Sequence, residues 1–161
     1  MPNLIINNRR TISLQTAEGN DIPNEQYFEI DESEWSKIGS FETKYGASIV
    51  RRTDPTGIYN CHGLTFASRR TSLYENNFLT TILKDDGYIE VQASDALGGD
   101  VILYFEDFGV THSGLVIEST ANSLVKIPKV CSKWGHNAEY IHFANMSPYG
   151  QEYKFYRVRK K

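Results

Sequence analysis

The 161-residue chain is predicted to form an α+β domain, because segments with helical periodicity precede segments with strand periodicity. Apolar residues recur at helical spacing from Leu64 to Leu73 and again over 77–84. After residue 87 the helical period disappears, and apolar or alternating runs follow, separated by turns. These runs cover 88–91, 101–105, 113–118, 124–130, 140–143 and 153–158. Their length and composition predict strands of an antiparallel sheet.

Residues 1–50 are predicted to be an accessory segment, and residues 55–161 a core within the same single domain. The accessory segment is expected to contain short strands at 4–6, 11–14 and 27–30. Ser33 is expected to cap a short helix over 34–38 that ends at Gly39. A weak strand is expected at 48–50. In the core, Pro128 interrupts the run 124–130, which indicates a bulge or a sheet edge there.

Cys61 is the candidate nucleophile. It follows the turn Asp54-Pro55-Thr56-Gly57 and opens an apolar run, which places it in the first turn of a helix expected to extend to Leu73. A helix N-terminus carries unpaired N–H groups and about half a positive charge, which lower a cysteine pKa from about 8.5 and favour the thiolate. The alternative is a buried cysteine that acts as a small apolar side chain.

Two further motifs follow this helix start. They read G-G-D-V-I at 98–102 and H-S-G-L-V at 112–116, and the helix start itself reads N-C-H-G-L at 60–64. Together, and in this order, they resemble the motifs of papain-like cysteine peptidases and amidases of the NlpC and CHAP type. The resemblance covers about residues 55–135 and departs from the family at Asn60 and Ser113. It implies a papain-like core, with N-terminal helices packed on an antiparallel β-sheet and extra N-terminal strands.

The resemblance also implies that His112 takes the proton from Cys61, whereas the alternative is a structural histidine at a strand end. A hairpin around residues 120–122 would set Ser132 opposite His112 as a third catalytic residue that orients the imidazole. His142, on the next strand, is the alternative third member, and a dyad without one is a further possibility. The Cys61 backbone N–H is expected to bind the oxyanion. Tyr59 is expected either to direct its side chain into the site or only to pack.

Composition excludes several partners. The 17 basic and 20 acidic residues give a net charge of −3, so no general attraction to nucleic acid or membrane is expected. No apolar stretch approaches the roughly 20 residues that span a bilayer, and no secretory signal is recognised. These features predict a cytoplasmic protein, with leaderless export as the alternative. The histidines and the two cysteines, Cys61 and Cys131, lack zinc-site spacing, so neither a metal nor a cofactor is expected.

The predicted function is a cysteine hydrolase that cleaves an amide bond in a peptide, a peptidoglycan stem or a protein. Three alternatives stay open at this point. The first is an acyl or γ-glutamyl transferase, the second is a non-catalytic papain-like binding module, and the third is a toxin or defence effector with peptidase activity. The substrate and the oligomeric state are not indicated by the sequence.

Overall fold

A computed structural model describes residues 8–119, 124 and 126–159. Within these residues the chain forms helices and a large antiparallel sheet, which confirms the predicted α+β class. The α-helices are α1 (Glu32–Tyr45), α2 (Cys61–Phe66) and α3 (Asn76–Asp85). The strands are β1 (Arg9–Arg10), β2 (Gln26–Tyr27), β3 (Ile49–Arg51), β4 (Tyr88–Val91), β5 (Val101–Glu106), β6 (Gly109–Glu118), β7 (Lys129–Lys133), β8 (Glu139–Phe143) and β9 (Glu152–Val158).

The main sheet has seven strands in the order β3-β8-β7-β6-β5-β9-β4, and every neighbouring pair is antiparallel. β1 and β2 form a separate two-stranded ladder. β6 therefore lies in the middle of the sheet, between β5 and β7. The residues of its first half lie next to α2, which packs against β6 and β7.

The two faces of the main sheet carry different cores. On one face, Leu64 of α2 packs with Tyr59 and Cys131. On the other face, Phe41 of α1 makes edge-to-face contacts with Trp134 at 4.9 Å and with Tyr140 at 5.9 Å between ring centroids. A further cluster on this second face includes Ile102, Tyr104, Val116, Val130 and Phe155. Because side chains alternate along a strand, each position of β6 belongs to one of these cores or the other.

Two helices differ in length from the prediction. α1 begins after Asp31, whose carboxylate accepts the Ser33 backbone N–H, and it runs through Gly39 to Tyr45. Packing of its apolar face outweighs the cost of one glycine, which is only about 1 kcal/mol. α2 ends at Phe66, well before Leu73.

The early end of α2 has a local cause. Ser68 and Arg69 both adopt left-handed backbone angles, with φ of 50° and 64°. Such angles are rare for residues other than glycine and stop a helix. The resulting turn brings the Arg69 guanidinium to the buried carboxylate of Glu139. A contact distant in sequence therefore determines where α2 ends.

Strands occur at most of the predicted places, although β6 begins four residues before the predicted run 113–118 and β2 shares only Tyr27 with the predicted run 27–30. Two other strand predictions are wrong. The run 124–130 does not form a strand as predicted, because the strand begins only after Pro128, at Lys129. Residues 11–14 form no strand either. The predicted strand at 4–6 and the turn at 120–122 lie outside the described residues. None of the described helices is both long enough and apolar enough to cross a membrane.

Candidate active site

Asn60 fixes the start of the helix that carries Cys61. Its side-chain oxygen accepts the backbone N–H of Gly63 at 2.9 Å and that of Leu73 at 3.1 Å, while its amide donates to the Leu73 carbonyl at 2.7 Å. An aspartate at this position would lack the N–H for the last bond. The cap also ties residue 73 to the first turn of α2.

Cys61 is buried, with 8% of its surface exposed. Burial raises the pKa of its thiol to about 11, while hydrogen bonds from the Ser113 and His62 backbone amides, the charge of Lys133 and the Ser113 hydroxyl act to lower it. In this conformation burial therefore opposes the predicted lowering of the thiol pKa. Desolvation outweighs the field of a six-residue helix, and the thiol is protonated at neutral pH.

Ser113 connects the sulfur to an imidazole. Its hydroxyl acts to lower the pKa of the Cys61 thiol and lies 2.7 Å from Nδ1 of His62 and 2.9 Å from Oγ1 of Thr65. All of these groups lie on the α2 side of the sheet. Burial lowers the pKa of His62 to about 4, so its ring is neutral and is able to accept a proton.

Lys133 places a buried amine on the same face. Its ammonium donates to the backbone carbonyls of Thr56 at 2.7 Å and Gly135 at 2.8 Å, and it lies 5.0 Å from the centroid of the Tyr59 ring. Burial lowers the pKa of Lys133 to about 7, an effect that negative charge at Cys61 and Glu139 opposes. A positive charge is therefore available beside the sulfur near neutral pH.

Tyr59 does not point its hydroxyl at Cys61. The hydroxyl donates to Glu139 at 3.0 Å, and the same carboxylate accepts Nε of Arg69 at 2.5 Å. Of the two open expectations for Tyr59, the packing one describes this arrangement, with its ring against Lys133. Glu139 is thus the anchor of the polar groups on this face.

His112 lies on the opposite face of β6. It pairs with Tyr104 of β5, whereas the neighbouring Ser113 pairs with Leu103 and points towards α2. Its ring stacks on Tyr149 at 4.0 Å between centroids. Among the described residues neither ring nitrogen has a hydrogen-bond partner. The structure therefore does not bring Cys61 and His112 into the predicted hydrogen bond, because strand alternation directs the histidine to the other side.

The two candidates for a third catalytic residue bind each other. Ser132 Oγ lies 2.7 Å from Nε2 of His142 and accepts the Trp134 indole N–H at 3.1 Å. Nδ1 of His142 lies 2.8 Å from the carbonyl of Phe143. Both residues lie on the face of His112, but neither bonds its ring in this structure. The predicted hydrogen bond that would orient His112 is therefore not formed.

The accessory segment contacts the turn that precedes Cys61. Tyr27 of β2 donates its backbone N–H to the Gly57 carbonyl at 3.0 Å, in the turn before Cys61. The Tyr27 ring packs on His136 at 5.3 Å and against Tyr74 at 6.2 Å. The Tyr74 hydroxyl lies 2.9 Å from Nε2 of His136. These contacts join the accessory segment to residues on both sides of α2 in the sequence.

Sequence reasoning did not find Ser113 and Lys133 as site residues. Ser113 was visible only as a departure from the family motif. Lys133 extends the β6–β7 pairing of Leu115 with Cys131 by two residues, which brings it opposite Ser113. No protein-family model, curated protein or solved structure matches this chain. What the chain does must therefore be inferred from its own residues.

Proposed function

We propose that this protein is a cysteine hydrolase in which the Cys61 thiolate attacks the carbonyl carbon of an amide bond. The observation that supports it best is the position of the Ser113 hydroxyl, which acts to lower the pKa of the Cys61 thiol and lies 2.7 Å from Nδ1 of the His62 imidazole. A nucleophile linked to a neutral base at a helix start is the arrangement that acyl transfer requires. The proposed nucleophile is the same cysteine that the papain-like motif implies, and the proposed base is His62 instead of His112.

The proton moves from Cys61 through Ser113 to His62 as the bond to carbon forms. Cys61 gives its proton to Ser113 Oγ, and Ser113 gives its own to Nδ1 of His62, in the tautomer that carries hydrogen on Nε2. The sulfur bonds the carbonyl carbon, and the oxyanion accepts the Cys61 backbone N–H. His62 then returns the proton through Ser113 to the leaving amine, and water or another acceptor releases the acyl group.

The described conformation is a resting form. With the thiol pKa at about 11 and the His62 pKa at about 4, both groups are neutral here. Hydration of the site stabilises both charged forms and moves the two pKa values towards each other. The Lys133 ammonium, held by two carbonyls, then stabilises the thiolate.

The substrate class follows from the resemblance of the motifs to papain-like peptidases and amidases. It comprises amides in a peptide, in a peptidoglycan stem or in a protein, with water or an amine as acceptor. A papain-like core is proposed on the same basis, supported by α2 starting at Cys61 and packing on an antiparallel sheet.

A non-catalytic binding module is the second candidate. The observation that favours it is the burial of Cys61 together with the position of His112 on the opposite face. In that case the contacts among Tyr27, Tyr74 and His136 stay formed, and Cys61 stays buried.

Mass spectrometry of a treated cell lysate distinguishes the two. The protein and its Cys61→Ala variant are added to equal samples, and new peptide N-termini and shortened stem peptides are measured. We expect products with the protein and with Cys131→Ala, a matched change at the other buried cysteine, but none with Cys61→Ala. Identical products from the protein and Cys61→Ala, or none from either, would reject the hydrolase and favour the binding module.

A further inference from the structure

A cavity of about 340 Å³ lies beside Tyr74. It is lined by Pro23, Asn24, Glu25, Tyr27, Tyr74 and Glu75. Two carboxylates and two aromatic rings therefore line one opening. The faces of tyrosine rings attract cations, and carboxylates pair with them.

Two of these residues, Glu25 and Tyr27, already contact a cationic side chain of the protein itself. Arg9 and Tyr27 are directly opposite each other in the β1–β2 ladder, and the Arg9 guanidinium carbon lies 4.8 Å above the Tyr27 ring. The guanidinium is also 3.7 Å from Oε1 of Glu25. The Tyr27 hydroxyl donates to Oε2 of Glu25 at 2.7 Å, which fixes the carboxylate beside the ring. The Arg9 side chain is 60% exposed, so another cation is able to replace it.

The cavity is tied to the nucleophile through the backbone. Tyr74 follows Leu73, whose N–H and carbonyl both bond the side chain of Asn60, the residue before Cys61. The wall of the cavity at Tyr74 is thus one residue away from a segment that two hydrogen bonds join to the residue before Cys61.

We propose that this cavity binds the guanidinium or ammonium group of an arginine or lysine side chain in the substrate, which competes with Arg9 for the carboxylate of Glu25. The inference rests on the proposed function, since it names the substrate side chain recognised beside Cys61. Glu25 supplies the charge, and Tyr27 and Tyr74 supply the aromatic walls.

A binding experiment tests the cavity without depending on catalysis. Binding of acetyl-arginine methylamide and acetyl-citrulline methylamide, which differ in charge but hardly in shape, is measured by NMR shifts of the tyrosine rings. We expect the arginine compound to bind about tenfold more tightly, as a desolvated cation on an aromatic and acidic wall does. Glu25→Gln should remove the preference, and Arg9→Ala should strengthen arginine binding about threefold. Glu152→Gln, at an exposed carboxylate of β9, is the control and should change nothing.

Equal binding of the two compounds, or a preference that survives Glu25→Gln, would overturn the inference. A second measurement links the cavity to Cys61. Dipeptide chloromethyl ketones with arginine or citrulline alkylate the thiolate by forming a C–S bond and releasing chloride, and iodoacetamide reports access to the sulfur alone. An arginine preference that Glu25→Gln removes, at an unchanged iodoacetamide rate, supports the subsite. No preference at a normal iodoacetamide rate rejects the subsite, whereas failure of the lysate experiment rejects the hydrolase and leaves the binding result standing.

Discussion

Ser113 and His112 are neighbours on β6, and they lie in opposite environments. Ser113 points to α2, where its hydroxyl acts to lower the pKa of the Cys61 thiol and lies within hydrogen-bonding distance of His62 and Thr65. His112 points to the other face, where it stacks on Tyr149 with both nitrogens unpartnered among the described residues. Ser113 thus has hydrogen-bond partners, whereas the residue before it on the same strand has none among the described residues.

This difference shows that the alternation of side chains along a strand decides which residue of a sequence motif faces the nucleophile. A histidine in the expected motif position serves a nucleophile only when alternation directs it to the face of the nucleophile. On β6 that face belongs to Ser113, and the base is supplied by His62 of α2 instead. The His112 ring packs against the rings of Tyr104 and Tyr149 instead.

The largest effect is expected from removing the anchor of the polar face. Glu139→Leu should lower the free energy of unfolding by about 3 kcal/mol, because the buried Tyr59 hydroxyl and the partly exposed Arg69 guanidinium both lose their carboxylate. Urea unfolding at pH 7 measures this change. Glu118→Gln, which breaks an exposed ion pair with Lys129, should cost less than about 0.5 kcal/mol. Equal costs for the two variants would show that Glu139 is not an anchor.

On the opposite face of β6, a substitution is expected to increase the free energy of unfolding. His112→Phe should raise the free energy of unfolding by about 1–3 kcal/mol at pH 7, because it removes two buried nitrogens without partners and keeps the stacked ring. His142→Phe is the matched control and should destabilise, since it removes the bond to Ser132.

The advantage of His112→Phe should also grow in acid. Burial lowers the pKa of His112 well below 6.5, so below pH 6.5 the unfolded state binds a proton that the folded state does not. The wild type therefore loses up to about 1.4 kcal/mol per pH unit from this residue, and the variant does not. Urea unfolding at pH 7.5 and 5.5 measures the difference. A destabilised variant at both pH values would mean that His112 has a bonding partner in solution.

Tyr74 is expected to limit the access of water to Cys61. Tyr74→Ala should increase the alkylation rate of Cys61 about tenfold at pH 8.5, because hydration lowers the raised thiol pKa by about one unit. Mass spectrometry of the alkylated peptide gives the rate, with Cys131 as the internal reference. Phe28→Ala, at an exposed ring of the accessory segment, should leave the rate unchanged. An unchanged rate in Tyr74→Ala would show that this ring does not cover the sulfur.

The sequence was sufficient for the α+β class, for most strands of the sheet and for the helix start at Cys61. These depend on local periodicity and capping. It was not sufficient for the end of α2, because the left-handed turn at Ser68 and Arg69 depends on the distant Glu139. Lys133 gave no signal, since basic residues are usually exposed and only the fold buries this one. The face of His112 depends on its pairing with Tyr104, which the motif does not contain.

The most direct test of the account compares the two neighbours on β6 in one measurement. The iodoacetamide rate of Cys61 at pH 8.5 is compared between Ser113→Ala and His112→Phe. Ser113→Ala should slow the reaction about fivefold, because it removes a hydrogen bond to the thiolate and raises the thiol pKa further, and His112→Phe should change it less than about twofold. Slowing by His112→Phe with no effect of Ser113→Ala would contradict the account and return the role of base to His112.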